Sequence, residues 1–323
     1  MLKIAFHDNN LCLRGSSVAL YQYAHYNEKI LGNKSYVLSC PTANLDALPK
    51  FKERFDVHLA HFHDHTPFLV QNKIDYLYVI KAGGVDGVAM SNPPTLVHAV
   101  FCSKTPHGHR YAYVSDWLCK AMGFDVEKHS VPHIAEPLPS PAYSLREKLG
   151  ISPNKRVFGC YAGFTEFNIT WVQELICYLA AENPDLVFMF MNIEDFRFRW
   201  PNAPTTTHNN IIFLPGTYDM HEKAAFVNAC DAMIHARGGG ETFGCAVAEF
   251  SMANKPVITY GESGERSHIE LLGERGIFYK TPDELKDIFL NFPKYVKYDD
   301  YYKSYDCCSP EIIMEKFDKV FLK

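Results

Sequence analysis

Residues 230–250, CDAMIHARGGGETFGCAVAEF, constrain the fold of this chain more than any other stretch. Ala232–His235 is a short apolar run and reads as a buried strand. Gly238, Gly239 and Gly240 follow, then Glu241. After Phe243 and Gly244, a run of small and apolar residues reads as a helix carrying Glu249. Strand, glycine-rich turn and helix start together allow backbone N–H groups and the helix dipole to face a phosphate. Two carboxylates, one in the turn and one on the helix, set this segment apart from an ordinary nucleotide loop. A carboxylate repels a diphosphate, so Glu241 and Glu249 suit neutral hydroxyls, such as those of a sugar, as hydrogen-bond acceptors. The plain alternative is that Glu241 caps its helix and Glu249 is a solvated helix residue.

Around this segment, short apolar runs alternate with amphipathic stretches, the pattern of an α/β architecture with parallel sheets. The first half predicts strands at Lys3–His7, 36–38, 57–60, 76–80, 95–101 and 111–114. A helix is expected from about Ser17 to Gly32, and another from its N-cap Ser115 to Gly123. Glu136-Pro-Leu-Pro-Ser-Pro141 fits neither a helix nor a central strand and marks a linker. Beyond it, strands are expected at 157–161, 186–191, 211–214, 232–235 and 256–259. Ser144 with Glu147, and Thr170 with Gln173, read as capping boxes. Ser309 and Pro310 open a last helix whose apolar stripe is Ile312, Ile313, Phe317, Val320 and Phe321.

A chain of 323 residues accommodates two domains. They are expected over 1–135 and 143–305, with a linker over 136–142 and a terminal helix over 306–323 that is a candidate to cross back to the first domain. A net charge of −5 gives no support to nucleic-acid binding through a basic surface. The amino terminus turns polar too soon for a signal peptide, and no apolar run approaches membrane-spanning length. The ten cysteines show no Cys-x-x-Cys spacing, which suits reduced thiols in the cytoplasm.

Gly240-Glu-Thr-Phe-Gly-Cys-Ala-Val-Ala-Glu249 resembles the Glu-x7-Glu signature of the retaining nucleotide-sugar glycosyltransferases of family four, which adopt the GT-B fold. The likeness continues through Asn254-Lys-Pro-Val-Ile258 and Ser263-Gly264. In the first half, Thr95-Leu-Val-His-Ala-Val-Phe101 and Tyr111-Ala-Tyr-Val-Ser-Asp-Trp117 look like the family's histidine-bearing strand and the strand–helix unit after it. Val131-Pro-His-Ile134 resembles the crossing into the second domain. The likeness covers roughly residues 95–119 and 156–264.

It implies two Rossmann-like parallel-sheet domains facing a central cleft. The second would bind a nucleotide diphosphate-sugar donor. The first would bind a carbohydrate-type acceptor hydroxyl on a glycan, a lipid or a protein-linked sugar. Neither a metal nor another cofactor is implied, and a lipid acceptor would entail peripheral membrane contact. By the same resemblance, Glu249 accepts from ribose hydroxyls and Glu241 lies at the donor sugar. The amides around Thr242, Phe243, Gly244 and Cys245 face the leaving diphosphate, and His98 lies near the reacting sugar.

The sequence departs from the family where its members carry an Arg and a Lys that grip the diphosphate. Gly159-Cys-Tyr-Ala-Gly-Phe-Thr-Glu-Phe-Asn-Ile169 contains neither. Gly163 leaves room for a ligand to approach the backbone, and Arg237 is the nearest replacement cation. Lys81 is another, and with His107 and Asp64 it makes an acceptor-side set. In Leu13-Arg-Gly-Ser-Ser17, Gly15 alone carries over from the family's Gly-Gly turn. His61-Phe-His-Asp-His65 lacks a remote ligand set and reads as a strand end facing the cleft, not as a metal site. Two rival readings stand beside the transferase: a nucleotide-sugar epimerase or phosphorylase on the same scaffold, and a non-catalytic sugar-nucleotide-binding module. A dehydrogenase is opposed by the lack of Gly-x-Gly-x-x-Gly after the first strand.

Overall fold

The alternating apolar runs pair as two separate six-stranded sheets, parallel throughout. The computed structural model describes residues 1–199, 209–297 and 300–323. They divide into one unit of Met1–Ile134 with Cys307–Lys323 and another of Ala135–Asp306. Residues 136–142 carry neither helix nor strand.

The first unit contains β1 (Lys3–His7), β2 (Lys34–Ser39), β3 (Asp56–Leu59), β4 (Tyr76–Lys81), β5 (Thr95–Ala99) and β6 (Arg110–Tyr113), in the order β3-β2-β1-β4-β5-β6. All five residues of β5 are buried, as expected of a parallel strand covered on both faces. The second unit contains β7 (Arg156–Tyr161), β8 (Leu186–Met191), β9 (Ile211–Leu214), β10 (Ala232–His235), the short β11 (Gly240–Glu241), β12 (Val257–Tyr260), the short β13 (Glu265–Arg266) and β14 (Ile277–Tyr279). Its main sheet runs β14-β12-β10-β7-β8-β9, and β11 pairs with β13 apart from it.

Local chemistry accounts for the helix starts. Ser115, Ser144 and Ser309 each accept a bond from the backbone N–H three residues on. The helix Pro282–Leu290 has a full capping box between Thr281 and Glu284, a signal the sequence reading passed over, as it did β14. Three expectations fail. Thr170 is the first residue of the helix Thr170–Glu182, not its cap, and the Gln173 amide donates to Phe167 O at 2.6 Å. His61–His65 does not end a strand, because Phe62–His65 forms a 3-10 turn. Ile312 falls off the buried stripe of its helix and is 44% exposed.

The last helix, Pro310–Phe317, completes the core of the first unit. Phe317 is fully buried, with ring centroids 6.4 Å from Phe6, 5.4 Å from Tyr23 and 5.7 Å from Tyr78. Phe321 packs on Tyr78 and His98. At the rim, Lys316 pairs with Asp116 at 3.5 Å and Lys319 with Glu127 at 2.8 Å.

Strand order reverses direction between β1 and β4 in one sheet and between β7 and β10 in the other. Open parallel sheets bind ligands outside the carboxyl ends of their strands at such points. No helix among the described residues is long and apolar enough to cross a membrane. Replacing Phe317 by Ala is expected to destabilise the first unit by about 3–5 kcal/mol, measured by chemical denaturation. A loss under about 1 kcal/mol would show that the terminal helix is only loosely docked.

Candidate functional site

At the reversal in the second sheet, β10 delivers His235 and Arg237 beside the loop that follows β7. Gly240 has φ +82°, and a Cβ there would lie 1.9 Å from Glu265 O, so only glycine lets β11 run alongside β13. Glu265 N donates to Gly239 O at 2.8 Å and fixes the turn. The neighbouring Glu241 is thereby held against two groups, His235 and Arg237. His235 Nε2 donates to its Oε1 at 3.2 Å, while His235 Nδ1 accepts from the Thr259 hydroxyl at 2.9 Å. Arg237 Nη1 donates to Glu241 Oε2 at 2.9 Å. Burial alone would raise the Glu241 pKa, but His235 and Arg237 outweigh it and hold the carboxyl below its ordinary value. Glu241 therefore caps no helix. Gly244 is the N-cap of the helix Cys245–Met252.

Arg237 Nε also forms an ion pair with Glu166 Oε2 at 2.6 Å, tying the loop after β7 to the loop after β10. Asn168 reinforces the tie by accepting from Gly238 N at 2.9 Å. Burial works against the Arg237 charge, and the carboxylates of Glu241, Glu166 and Glu265 more than compensate, raising its pKa. The expected room for a ligand over Gly163 is filled by the chain itself. A Cβ there would meet Glu166 Cγ at 2.9 Å.

Glu249 is buried, so the solvated-helix alternative fails. Its surroundings also differ from the expected open carboxylate. Lys223 Nζ, on the helix Met220–Ala229, donates to both carboxylate oxygens at 2.9 Å. The Tyr161 hydroxyl donates to Oε2, and Lys223 Nζ lies 4.9 Å from the centre of the Tyr161 ring. The two glutamates therefore occupy adjoining clusters, each with its own cation. Burial first, and then Glu241, push the Cys245 thiol up to about 12, against the opposing charge of Lys223. Of the remaining expected donor residues, Thr242, Phe243 and Gly244 are buried, and Phe243 packs edge-on against Tyr305.

In the first unit, His98 is not placed to meet a sugar. It is fully buried in mid-β5, donates from Nε2 to Val131 O at 2.8 Å and accepts from the Tyr78 hydroxyl at 2.6 Å through Nδ1. Burial lowers its pKa to about 4 and keeps it neutral, so it is a core residue. Lys81 and His107 do come together. Lys81 Nζ is 3.2 Å from His107 Nε2 and forms an ion pair with Asp86. Asp64 stands exposed on its 3-10 turn, and Gly15 is the exposed first residue of the helix Gly15–Lys29. At the carboxyl end of β1 lie Asp8 and His7, whose ring packs against Phe62 and His65 and whose buried nitrogens have no hydrogen-bond partner among the described residues. Burial takes the His7 pKa down to about 3 and that of Asp8 up to about 6.

Sequence reasoning missed Glu166, Lys223, Tyr161, His235 and Asp86. His235 and Tyr161 carried a usable signal, as polar side chains closing apolar strands at a carboxyl edge. Among the described residues, no group of three or more His, Cys, Asp or Glu could hold a metal ion.

No protein-family model matches the chain, and no curated protein matches it in sequence. Solved structures do match its fold. Anabaena HepE in complex with UDP-glucose superposes with a TM-score of 0.68 at 15% identity, covering 99% of this chain and 96% of that one. WaaG, a glycosyltransferase of lipopolysaccharide biosynthesis, gives 0.62 at 12% identity, covering 99% and 100%. A putative UDP-N-acetylglucosamine 2-epimerase from Listeria monocytogenes gives 0.62 at 11% identity, covering 97% and 94%. The fold is GT-B, as the sequence analysis expected.

The buried Lys223–Glu249 pair yields a prediction. Lys223→Met alone strands a buried carboxylate and should cost about 3–5 kcal/mol, while Lys223→Met with Glu249→Met should recover most of that loss. Urea denaturation of the three proteins checks it. Equal losses in the single and double variants would refute the coupling.

Proposed function

We propose that this protein is a retaining, metal-independent glycosyltransferase that moves a sugar from a nucleotide diphosphate-sugar to an acceptor hydroxyl. The second unit would hold the donor and the first the acceptor. The observation that carries this reading is the Arg237–Glu241–His235 cluster at the carboxyl end of β10, beside the start of the helix Cys245–Met252. HepE, of the same fold, binds UDP-glucose.

Glycosyl transfer builds positive charge on the sugar and negative charge on the departing phosphate. Arg237 and the first N–H groups of that helix are the groups suited to stabilise the leaving diphosphate. Glu241 accepts hydrogen bonds from both His235 and Arg237 and has a depressed pKa, which makes it a poor covalent nucleophile. Its role here is to accept from donor-sugar hydroxyls, and the reaction is front-face transfer without a lasting glycosyl-enzyme. Glu249, oriented by Lys223, accepts from the ribose. Lys81 and His107 are the acceptor-side candidates. A cytoplasmic location, with peripheral membrane contact for a lipid-borne acceptor, belongs to the same proposal.

A thermal-shift panel of UDP-, GDP- and ADP-sugars tests the donor class. A donor at a hundred times its Kd should stabilise the native state by about 2.7 kcal/mol. No shift with any of them would sink the reading. Glu249→Ala, if folded, should weaken donor binding at least tenfold, and unchanged affinity would remove its assigned role. Glu241→Ala should cut turnover by about a hundredfold with far less effect on nucleotide affinity, as donor-hydrolysis and titration assays would show. The likeness to the Listeria epimerase favours one second reading, and an epimerised product formed from donor alone would establish it. Phosphate dependence would indicate a phosphorylase, and binding without turnover a non-catalytic module.

A further inference from the structure

We propose that Glu166 is the exchangeable counter-ion of Arg237. Its carboxylate holds the guanidinium edge that a nucleoside diphosphate takes over, and by competing for that edge it sets the affinity for the nucleotide. This rests on the donor reading above and adds a residue that tunes it.

The two acids on Arg237 are held unequally. Glu241 sits on a strand register fixed by Gly240, accepts a second bond from His235, and exposes 22% of its side chain. Glu166 lies in the loop after β7 and exposes 38% of its side chain. Its loop folds back on itself: Glu166 N donates to Gly163 O at 2.9 Å, and its Cγ fills the space above Gly163. Arg237 holds Glu241 through an ion pair that is also a hydrogen bond and holds Glu166 through an ion pair, so the contact to Glu166 is the easier to break.

Geometry sets the competition. Arg237 stands at the β7/β10 reversal of the sheet, where a ligand of such a fold binds. A guanidinium grips a diphosphate and a carboxylate through the same planar fork of N–H donors, so the two anions exclude one another on one edge. With Glu241 and Glu265 also close by, a diphosphate arriving while Glu166 is in place meets a surplus of negative charge. A nucleotide that must first displace a bound carboxylate binds with an apparent affinity reduced by the fraction of time the guanidinium is occupied.

The test is Glu166→Gln in the full chain, which removes the charge while keeping the shape. A thermal melt verifies its fold. Glu182→Gln, at the far end of the helix Thr170–Glu182, is the control for loss of one acidic charge. UDP, GDP and ADP, and the matching monophosphates, are titrated calorimetrically against each protein. Glu166→Gln should tighten diphosphate binding about five- to tenfold and monophosphate binding less than twofold, with the control unchanged. If the native protein binds a diphosphate and Glu166→Gln binds it equally or more weakly, the inference is overturned and the donor reading survives. Equal tightening of mono- and diphosphates, or equal tightening by the control, also overturns it. If the native protein binds none of the three diphosphates, the donor reading itself fails and takes this inference with it.

Discussion

A single guanidinium joins the loops on either side of the point where strand order reverses in the second sheet. Arg237 reaches Glu166 after β7 and Glu241 beyond the glycine turn, with Asn168 closing the same seam onto Gly238. Two segments some seventy residues apart in the chain take their mutual position from it. Glycine at 240 makes the arrangement possible, since any Cβ would strike the backbone of β13. The chemistry proposed for the site follows from that one knot: a cation near a helix start, flanked by one acid proposed to accept from sugar hydroxyls, Glu241, and one proposed to yield to a diphosphate, Glu166. Neither acid is left as a bare nucleophile.

The motif that first drew attention to this chain keeps its importance but changes its meaning. Spacing alone suggested two acids meeting over one ligand. In the structure each acid has a cation of its own, and the Cys245 thiol feels the charges of both Glu241 and Lys223. A pair of neutralised carboxylates binds hydroxyl groups with less repulsion toward a neighbouring phosphate than two bare ones would. The positive charge expected after β7 is replaced by an acid there and an arginine one loop away. At 11–15% identity, the solved structures share the layout of the sheets with this chain and leave such side-chain exchanges open.

The sheet elements were legible because buried parallel strands write themselves as continuous apolar runs: β1, β8, β9 and β10 match their expected bounds to the residue. Serine caps at 115 and 309 were legible for an equally local reason. What escaped depends on partners far apart in the chain. Lys223 sits in a helix of alanines and phenylalanine, and only folding shows that its charge meets Glu249 across 26 residues. His98 looked like a site residue because its strand resembles the family's histidine-bearing one, yet it is fully buried against the rings of Tyr23, Tyr78, His133 and Phe321. Glu166 carried no signal at all, since an acid in a loop is ordinary until an arginine is found beside it.

The terminal helix carries a consequence for how the molecule comes into being. Phe317 and Phe321 belong to the aromatic cluster built on Phe6, Tyr23 and Tyr78, yet the ribosome makes them only after the entire second unit. The nascent first unit must wait with an open apolar wound where those rings belong. Its maturation is thus coupled to synthesis of residues 307–323, and a polypeptide halted before residue 307 would display sticky surface to chaperones and proteases.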